Sequence, residues 1–223
     1  MDRRLRAAVD ASVCWYDELF AVHGVGHRVV DGMWSALGPP PPLHSAAKSV
    51  EPWATSQRAL RDIAGFDHCS VADSFGTLDL PGFELLLEAR WLFLEPVPKS
   101  PGRHPAGWAP VRGAQELAEW TAHHDTAGVL LPALLDRPGF TVLGLRSHDQ
   151  LLAGAVVHAC AGVVSISNVW AAPGRHPDWH DLVRVSHAIH PGLPVTGWEH
   201  GEDLAQALDA GFTDVGPHLV WCR

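Results

Sequence analysis

The sequence predicts an α+β protein in three layers, a mixed and mostly antiparallel sheet flanked by helices. Three apolar, β-rich runs, 140–146, 151–159 and 163–170, follow one another with only short turns between them, which makes an antiparallel meander. Two helix-like segments then alternate with two short strands to the end of the chain. Of the 223 residues 47% are hydrophobic and 18% charged, enough apolar material for one large core or two small ones.

The elements justify themselves in order. Residues 7–22 read as a first helix, and Pro39, Pro40, Pro41 and Pro42 separate it from a second near 51–63. Pro96, Pro98, Pro101, Pro105 and Pro110, with Gly102 and Gly107, leave 96–110 unable to hold a helix or a central strand. That stretch reads as a linker between an N-terminal part, 1–95, and a C-terminal part, 111–223. In the second part Leu117 and Trp120 stand at helical spacing within 113–123, and an apolar segment, 129–135, leads into Pro138-Gly139. Ser147-His148-Asp149-Gln150 turns the first pair of strands, and Ala161-Gly162 turns the second. Residues 178–190 form a helix, 194–198 a strand, 202–210 a helix stopped by Gly211, and 217–221 the closing strand.

An internal echo links the two parts. Val71-Ala72-Asp73-Ser74, Pro81-Gly82-Phe83 and Ala89-Arg90-Trp91 occur in the same order as 195–199, Ala210-Gly211-Phe212 and Val220-Trp221. Two readings stay open: a true repeat, which makes the first part an abbreviated copy, or Gly-Phe as a common packing device near a strand start.

The net charge of −9 provides no overall basic field, which disfavours nucleic acid as a partner. Residues 1–20 carry Arg3, Arg4 and Arg6 but then Asp10, Asp17 and Glu18, and so lack the apolar core of a signal peptide. No run approaches the ~20 apolar residues of a membrane span. A cytoplasmic protein is expected, without a membrane partner. Cys14, Cys69, Cys160 and Cys222 contain no Cys-x-x-Cys pair, which argues against a zinc site or a disulfide framework, and they are expected to be reduced. Among the 15 histidines, His23 and His27 stand four apart, but Gly24 and Gly26 weaken the helix that would align them, so no metal is expected.

The meander followed by helix, strand, helix and strand, ending in Gly197-Trp198-Glu199, Gly211-Phe212 and Val220-Trp221, resembles the acyl-group-binding half of the Gcn5-related N-acetyltransferase (GNAT) superfamily over residues 108–223. The resemblance implies transfer of an acyl group from acetyl-CoA or another acyl-CoA to the amine of a small metabolite or amino-acid-like acceptor. If the echo is a repeat, the chain resembles a tandem GNAT protein. In the superfamily the strand before the central helix ends in a pattern like Val-x-Pro-x-x-Arg-Gly-x-Gly-x-Gly/Ala, whose backbone N–H groups hold the coenzyme A pyrophosphate at a helix N-terminus. The corresponding stretch here, 169–179, keeps Pro173 and Arg175 but has Pro177 and Asp178 where glycines belong. Val169, Trp170, Arg175, His176 and Arg184 are the candidates for holding the donor. The alternative is that the charged ones are ordinary exposed side chains at a helix start, with Asp178 as its N-cap. The tyrosine that in many relatives protonates the departing thiolate falls near Ala207, and the one tyrosine of the chain is Tyr16.

An amine attacking a thioester must lose a proton, and a carboxylate or histidine can take it. Glu199 and His200, at the end of a strand where the two arms of the fold splay, are the catalytic candidates, with Asp203 as an orienting group. Glu199 can equally serve only to cap the next helix. Asn168, polar within an apolar run, is either a third catalytic contact or a satisfied structural amide. Asp73, Ser74, His158 and Trp198 are the substrate-binding candidates. Two further readings follow from the altered loop: a transferase using aminoacyl-tRNA or a carrier protein as donor, with basic residues around Arg103, Arg112 and Arg175, or a non-catalytic binding module. Oligomeric state is expected to be monomer or homodimer.

Overall fold

Asp2 starts the first helix, its carboxylate accepting the backbone N–H of Arg4 at 2.8 Å. That helix, α1 (Arg3–Val22), buries Ala8, Val9, Ala11, Trp15, Tyr16, Leu19 and Phe20 along one stripe, the three-and-four spacing of an amphipathic helix. It ends where Gly24 turns at φ +69°. The computed structural model describes residues 1–96, 105–148 and 150–223.

After α1 come β1 (His27–Val30), β2 (Met33–Ala36), β3 (Ala47–Ser49), α2 (Ser56–Asp62), β4 (Ser70–Asp73) and β5 (Glu84–Leu94). The end of the 96–110 stretch contributes β6 (Trp108–Pro110), and the second part contributes α3 (Ala114–Ala122), a 3₁₀ turn (Pro132–Asp136), β7 (Phe140–Ser147), β8 (Gln150–Cys160), β9 (Val163–Ala171), α4 (Trp179–Ile189), β10 (Val195–Glu199), α5 (Gly201–Asp209) and β11 (Thr213–Cys222). The proline-rich stretch 96–110 lies largely outside the described residues, Arg103 included, as does Asp149 of the β7–β8 turn. Its last residues form β6, an edge strand on β7, where prolines are tolerated.

Among the described residues all the strands join one sheet in the order β1-β2-β3-β4-β11-β5-β10-β9-β8-β7-β6. Only β3–β4 and β9–β10 pair in parallel; the other neighbours are antiparallel. The order reads alike in both directions from the central β11–β5 pair. One way it meets β4, its parallel neighbour β3 and the β2–β1 hairpin; the other way it meets β10, its parallel neighbour β9 and the β8–β7 hairpin. Each part lends its last strand to the other: β5 lies between β10 and β11, and β11 lies between β4 and β5.

Helices cover both faces. Trp15 and Phe20 of α1 and Trp120 of α3 pack on Val142, Val156 and Trp170. On the other face Leu182 and Val185 of α4 and Ala207 of α5 cover Leu143, Ala155, Val157 and Val164, while Ala59 of α2 packs with Ile63 on Ala47 and Val71. Each large apolar side chain so buried contributes about 1.5–3 kcal/mol.

Two expectations need correction. The cysteines are not all reduced: α1 crosses the sheet beside the end of β8 and brings Cys14 to Cys160, a disulfide with Cα atoms 6.4 Å apart and a sequence separation of 146. Such a long-range pair has no spacing signature. The second helix is also shorter than 51–63, because Thr55 caps it through the N–H of Arg58 and leaves Trp53 in an exposed turn.

Candidate active site

The parallel pair β9–β10 is hydrogen-bonded only at Val195↔Val164 and Thr196↔Ser165, and then opens. Two local features cause the opening. Asn168 sits in the left-handed region at φ +51°, a conformation that Asn tolerates, and the β8–β9 register slips there, two residues of β9 facing one of β8. Opposite, Gly197 approaches so closely that a Cβ would stand 2.8 Å from the carbonyl oxygen of Ile166. A bulge and a glycine therefore set where the strands part.

A cavity of about 790 Å³ meets this opening. Its walls include Ser12, Trp15 and Tyr16 of α1, the 40–45 segment, Lys48 of β3, Trp91 of β5 and His218 of β11. Strand alternation puts Thr196 and Trp198 on one face of β10 and Glu199 on the other. All three line the cavity, as do Ser167, Asn168, Val169, His200 and Asp203, so it reaches both sides of the sheet through the gap between the strands.

Glu199 has its pKa raised to about 8, first by burial and then by the like charge of Asp203; the backbone N–H of His200 opposes the shift. It does not cap α5. His200 occupies the N-cap position and makes no side-chain cap bond. Asn168 donates from Nδ2 to the Ser167 hydroxyl at 3.1 Å.

The other wall holds groups that the sequence did not single out. Lys48 is 1% exposed, and its ammonium lies 5.2 Å from the centre of the Tyr16 ring and 5.0 Å from that of Trp91. Burial lowers its pKa to about 7 against the opposing pull of Asp73. His218, 3% exposed, rests 4.4 Å from Trp91 and 5.3 Å from Trp198, and burial holds it neutral. His44 is fixed as a neutral ring, accepting from Trp15 Nε1 at 2.9 Å and donating from Nδ1 to the Pro42 carbonyl at 3.0 Å; burial pushes its pKa down to about 4. One signal was available for Lys48: the chain has only two lysines, and this one stands among Ala46, Ala47, Ser49 and Val50.

The remaining candidates lie elsewhere. Asp73 accepts from the Ser49 hydroxyl at 3.3 Å and from the N–H groups of Phe75 at 3.2 Å and Leu78 at 2.8 Å, and so builds the turn after β4. The Ser74 carbonyl accepts Trp91 Nε1 at 2.9 Å. His158 is buried against Phe140, and Trp170 stacks on His123 at 5.1 Å within the α3 core. Arg175 is exposed beside the β7–β8 turn, where it lines a separate hollow of about 440 Å³ with Ser147, His148, Gln150 and Leu152. His176 is exposed, and Arg184 pairs with Asp181 on the surface of α4. Asp178 is the N-cap of α4, its carboxylate accepting the N–H of Asp181 at 3.0 Å. At the helix start, where a pyrophosphate would bind, a carboxylate already takes one N–H and Pro177 offers none, so the loop fits that group poorly.

Solved structures share this architecture across nearly the whole chain. A GCN5-related N-acetyltransferase from Kribbella flavida is 16% identical, covers 96% of this chain and 95% of its own, and superposes with a TM-score of 0.60. The chain has the GNAT fold. A putative GNAT-family acetyltransferase from Novosphingobium aromaticivorans is 14% identical over 99% of this chain and 96% of its own, with a TM-score of 0.61. A functionally unknown conserved protein from Staphylococcus epidermidis is 12% identical over 88% and 92%, at 0.64. No protein-family model matches the sequence, and no curated protein does. Among the described residues no three His, Cys, Asp or Glu side chains come together to hold a metal, and no helix is long and apolar enough to cross a membrane.

Proposed function

We propose that the protein is an N-acyltransferase that moves an acyl group from an acyl-CoA to the amine of a small metabolite. One observation carries the reading: the gap between β9 and β10 opens into a cavity large enough for a small substrate, with the half-buried Glu199 carboxyl at the gap. In that arrangement the thioester lies along the bulged end of β9, and the amine approaches from the cavity. As the C–N bond forms and the C–S bond breaks, Glu199 accepts the amine proton, directly or through one water. The proton then passes by water to the departing thiolate, since Ala207 offers no acid. Asn168 holds the bulge that aims the backbone of β9 at the acyl carbonyl. His200, at the N-cap of α5, and Trp198, at the cavity edge, border the acceptor.

We also infer that the first part is an abbreviated copy of the second. The symmetric strand order supports this, with β4 answering β10 and β5 answering β11.

A second reading has an observation of its own. Asp178 occupies the helix start in place of a donor's pyrophosphate, which favours a donor lacking that group, such as an acylated carrier protein or aminoacyl-tRNA. Calorimetric titration with acetyl-CoA and with free coenzyme A separates the two. Micromolar binding of either supports acyl-CoA as the donor, and absence of binding moves the donor to another carrier.

A further inference from the structure

Among the described residues Lys48 is the one buried ammonium of the cavity. Among the described residues no carboxylate lies within ion-pair distance of it, and its close contacts are the Tyr16 and Trp91 rings. The nearest acid by influence, Asp73, already accepts the Ser49 hydroxyl and the N–H groups of Phe75 and Leu78. A buried cation without a counter-charge is destabilising unless something supplies one. The ring faces compensate in part and keep the amine pointed at the open volume.

We propose that Lys48 is the carboxylate-binding residue of the acceptor site, so that the acceptor is a small amine that also carries a carboxylate beside an aromatic or apolar group. This deepens the acyltransferase reading and rests on it for the amine. The carboxylate end and the reactive end then fall at different walls of one cavity, Lys48 on β3 and Glu199 on β10. The rings of Tyr16, Trp91 and Trp198 along the same cavity suit an apolar body between them. The site selects a single carboxylate rather than a polyanion: among the described residues Lys48 is its one buried cation, the Arg223 guanidinium that also lines the cavity is bonded to the Ile63 and Phe66 carbonyls, His44 and His218 are held neutral, and the protein as a whole is negative.

The other titratable groups facing Lys48 are Tyr16 on α1, His44 in the 40–45 segment, Asp73 on β4 and His218 on β11. Tyr16 is pushed up by burial and both histidines are pushed down, so none of these three titrates near neutrality. Glu199, across the same cavity, is raised to about 8 and also takes up a proton when an anion enters, so uptake is assigned to Lys48, whose pKa of about 7 leaves it mostly neutral in weak base, by its loss in Lys48→Met and its persistence in Glu199→Gln.

The probes are phenylacetate and its neutral isostere phenylacetamide, titrated by calorimetry into the wild type, Lys48→Met and Glu199→Gln at about pH 8.5 in two buffers of different ionisation enthalpy. Phenylacetate is expected to bind the wild type at least about tenfold more tightly than the amide and to take up a proton, and Lys48→Met is expected to abolish both while binding the amide within about threefold of wild type. Equal binding of acid and amide, binding of neither, or a preference retained in a folded Lys48→Met overturns the proposal. Displacement of phenylacetate by inorganic phosphate at lower concentration overturns it in favour of a phosphate site. Should Lys48→Met fail to fold, the buffer dependence in Glu199→Gln decides: proton uptake that persists there supports Lys48, and its loss overturns the proposal. None of these titrations contains coenzyme A. Loss of acetyl-CoA binding with the acid preference intact removes the acyl-CoA reading and leaves the carboxylate site; the reverse result removes the site and leaves the reading.

Discussion

The ammonium of Lys48 stands 5.0 Å from the centre of the Trp91 ring, in a position that leaves the charge facing the cavity and not a carboxylate. Trp91 is itself held, its Nε1 donating to the Ser74 carbonyl at 2.9 Å, so the ring is a fixed wall and not a side chain that turns to follow a ligand.

Stability should therefore depend on pH through this lysine. Burial lowers its folded pKa from 10.5 to about 7. Between those values the unfolded chain binds a proton that the folded protein refuses, so the unliganded wild type loses stability as pH falls from 10.5 toward 7, and the loss is complete below 7. Lys48→Met has no such term. Its melting temperature relative to wild type should rise as pH falls from about 10 to about 6, by the equivalent of a few kcal/mol. A difference that is constant with pH would show that Lys48 is not desolvated in solution.

Glu199 gives the opposite slope. Its carboxyl is held protonated up to about 8 by burial and by Asp203, and a base must be deprotonated to accept the amine proton. Turnover should rise with pH and level off above about 8. Glu199→Gln should lower kcat at least about tenfold and flatten that rise. The same carboxyl destabilises the fold as it ionises, between the unfolded value of 4.5 and about 8, so Glu199→Gln should gain stability relative to wild type at high pH. A rate unchanged by the substitution, measured with saturating thioester and amine, removes Glu199 from the mechanism.

What could be read from the chain follows the range of the interactions. The meander β7–β8–β9 and the elements α4, β10 and α5 are specified by local period and turn residues, and they appear within a few residues of their expected bounds. In the first part β1 and β2 are four residues each, too short for a period to register. Their turn, Asp31-Gly32, with both φ positive, was the available signal. Glu199 and Asn168 were visible because each is polar beside an apolar strand. Lys48 and His218 take their meaning from α1 and β5, which only the fold brings to them. Asp73 and Asp178 share one physical use: an Asp near a strand end or a helix start is as useful for capping backbone N–H groups as for binding a ligand, which the sequence reading allowed for Asp178 as an N-cap and not for Asp73.

The Cys14–Cys160 bond ties α1, a wall of the cavity, to the far end of β8. Because the loop it closes is long, removing it should cost about 3–5 kcal/mol, chiefly by freeing the unfolded chain. The urea midpoint of the wild type should fall on addition of a thiol reductant, whereas Cys14→Ser should start low and not respond. Coincident midpoints with and without reductant would mean that the two sulfurs are not bonded in the purified protein.

Arg175 and Asp178 bracket the start of α4 with opposite charges, and neither is used by the core. If an acyl-CoA is the donor, its phosphates meet both. Arg175→Ala should then weaken coenzyme A about threefold to tenfold, with the melting temperature unchanged because the side chain is exposed. Asp178→Asn keeps the cap but removes the negative charge, and should tighten coenzyme A without loss of stability, whereas Asp178→Ala should cost about 1 kcal/mol as the cap is lost. Calorimetry and thermal melts on the three variants read these effects separately. Should Asp178→Asn bind coenzyme A no better than wild type, the carboxylate is not what weakens the loop, and the missing N–H of Pro177 becomes the limiting feature.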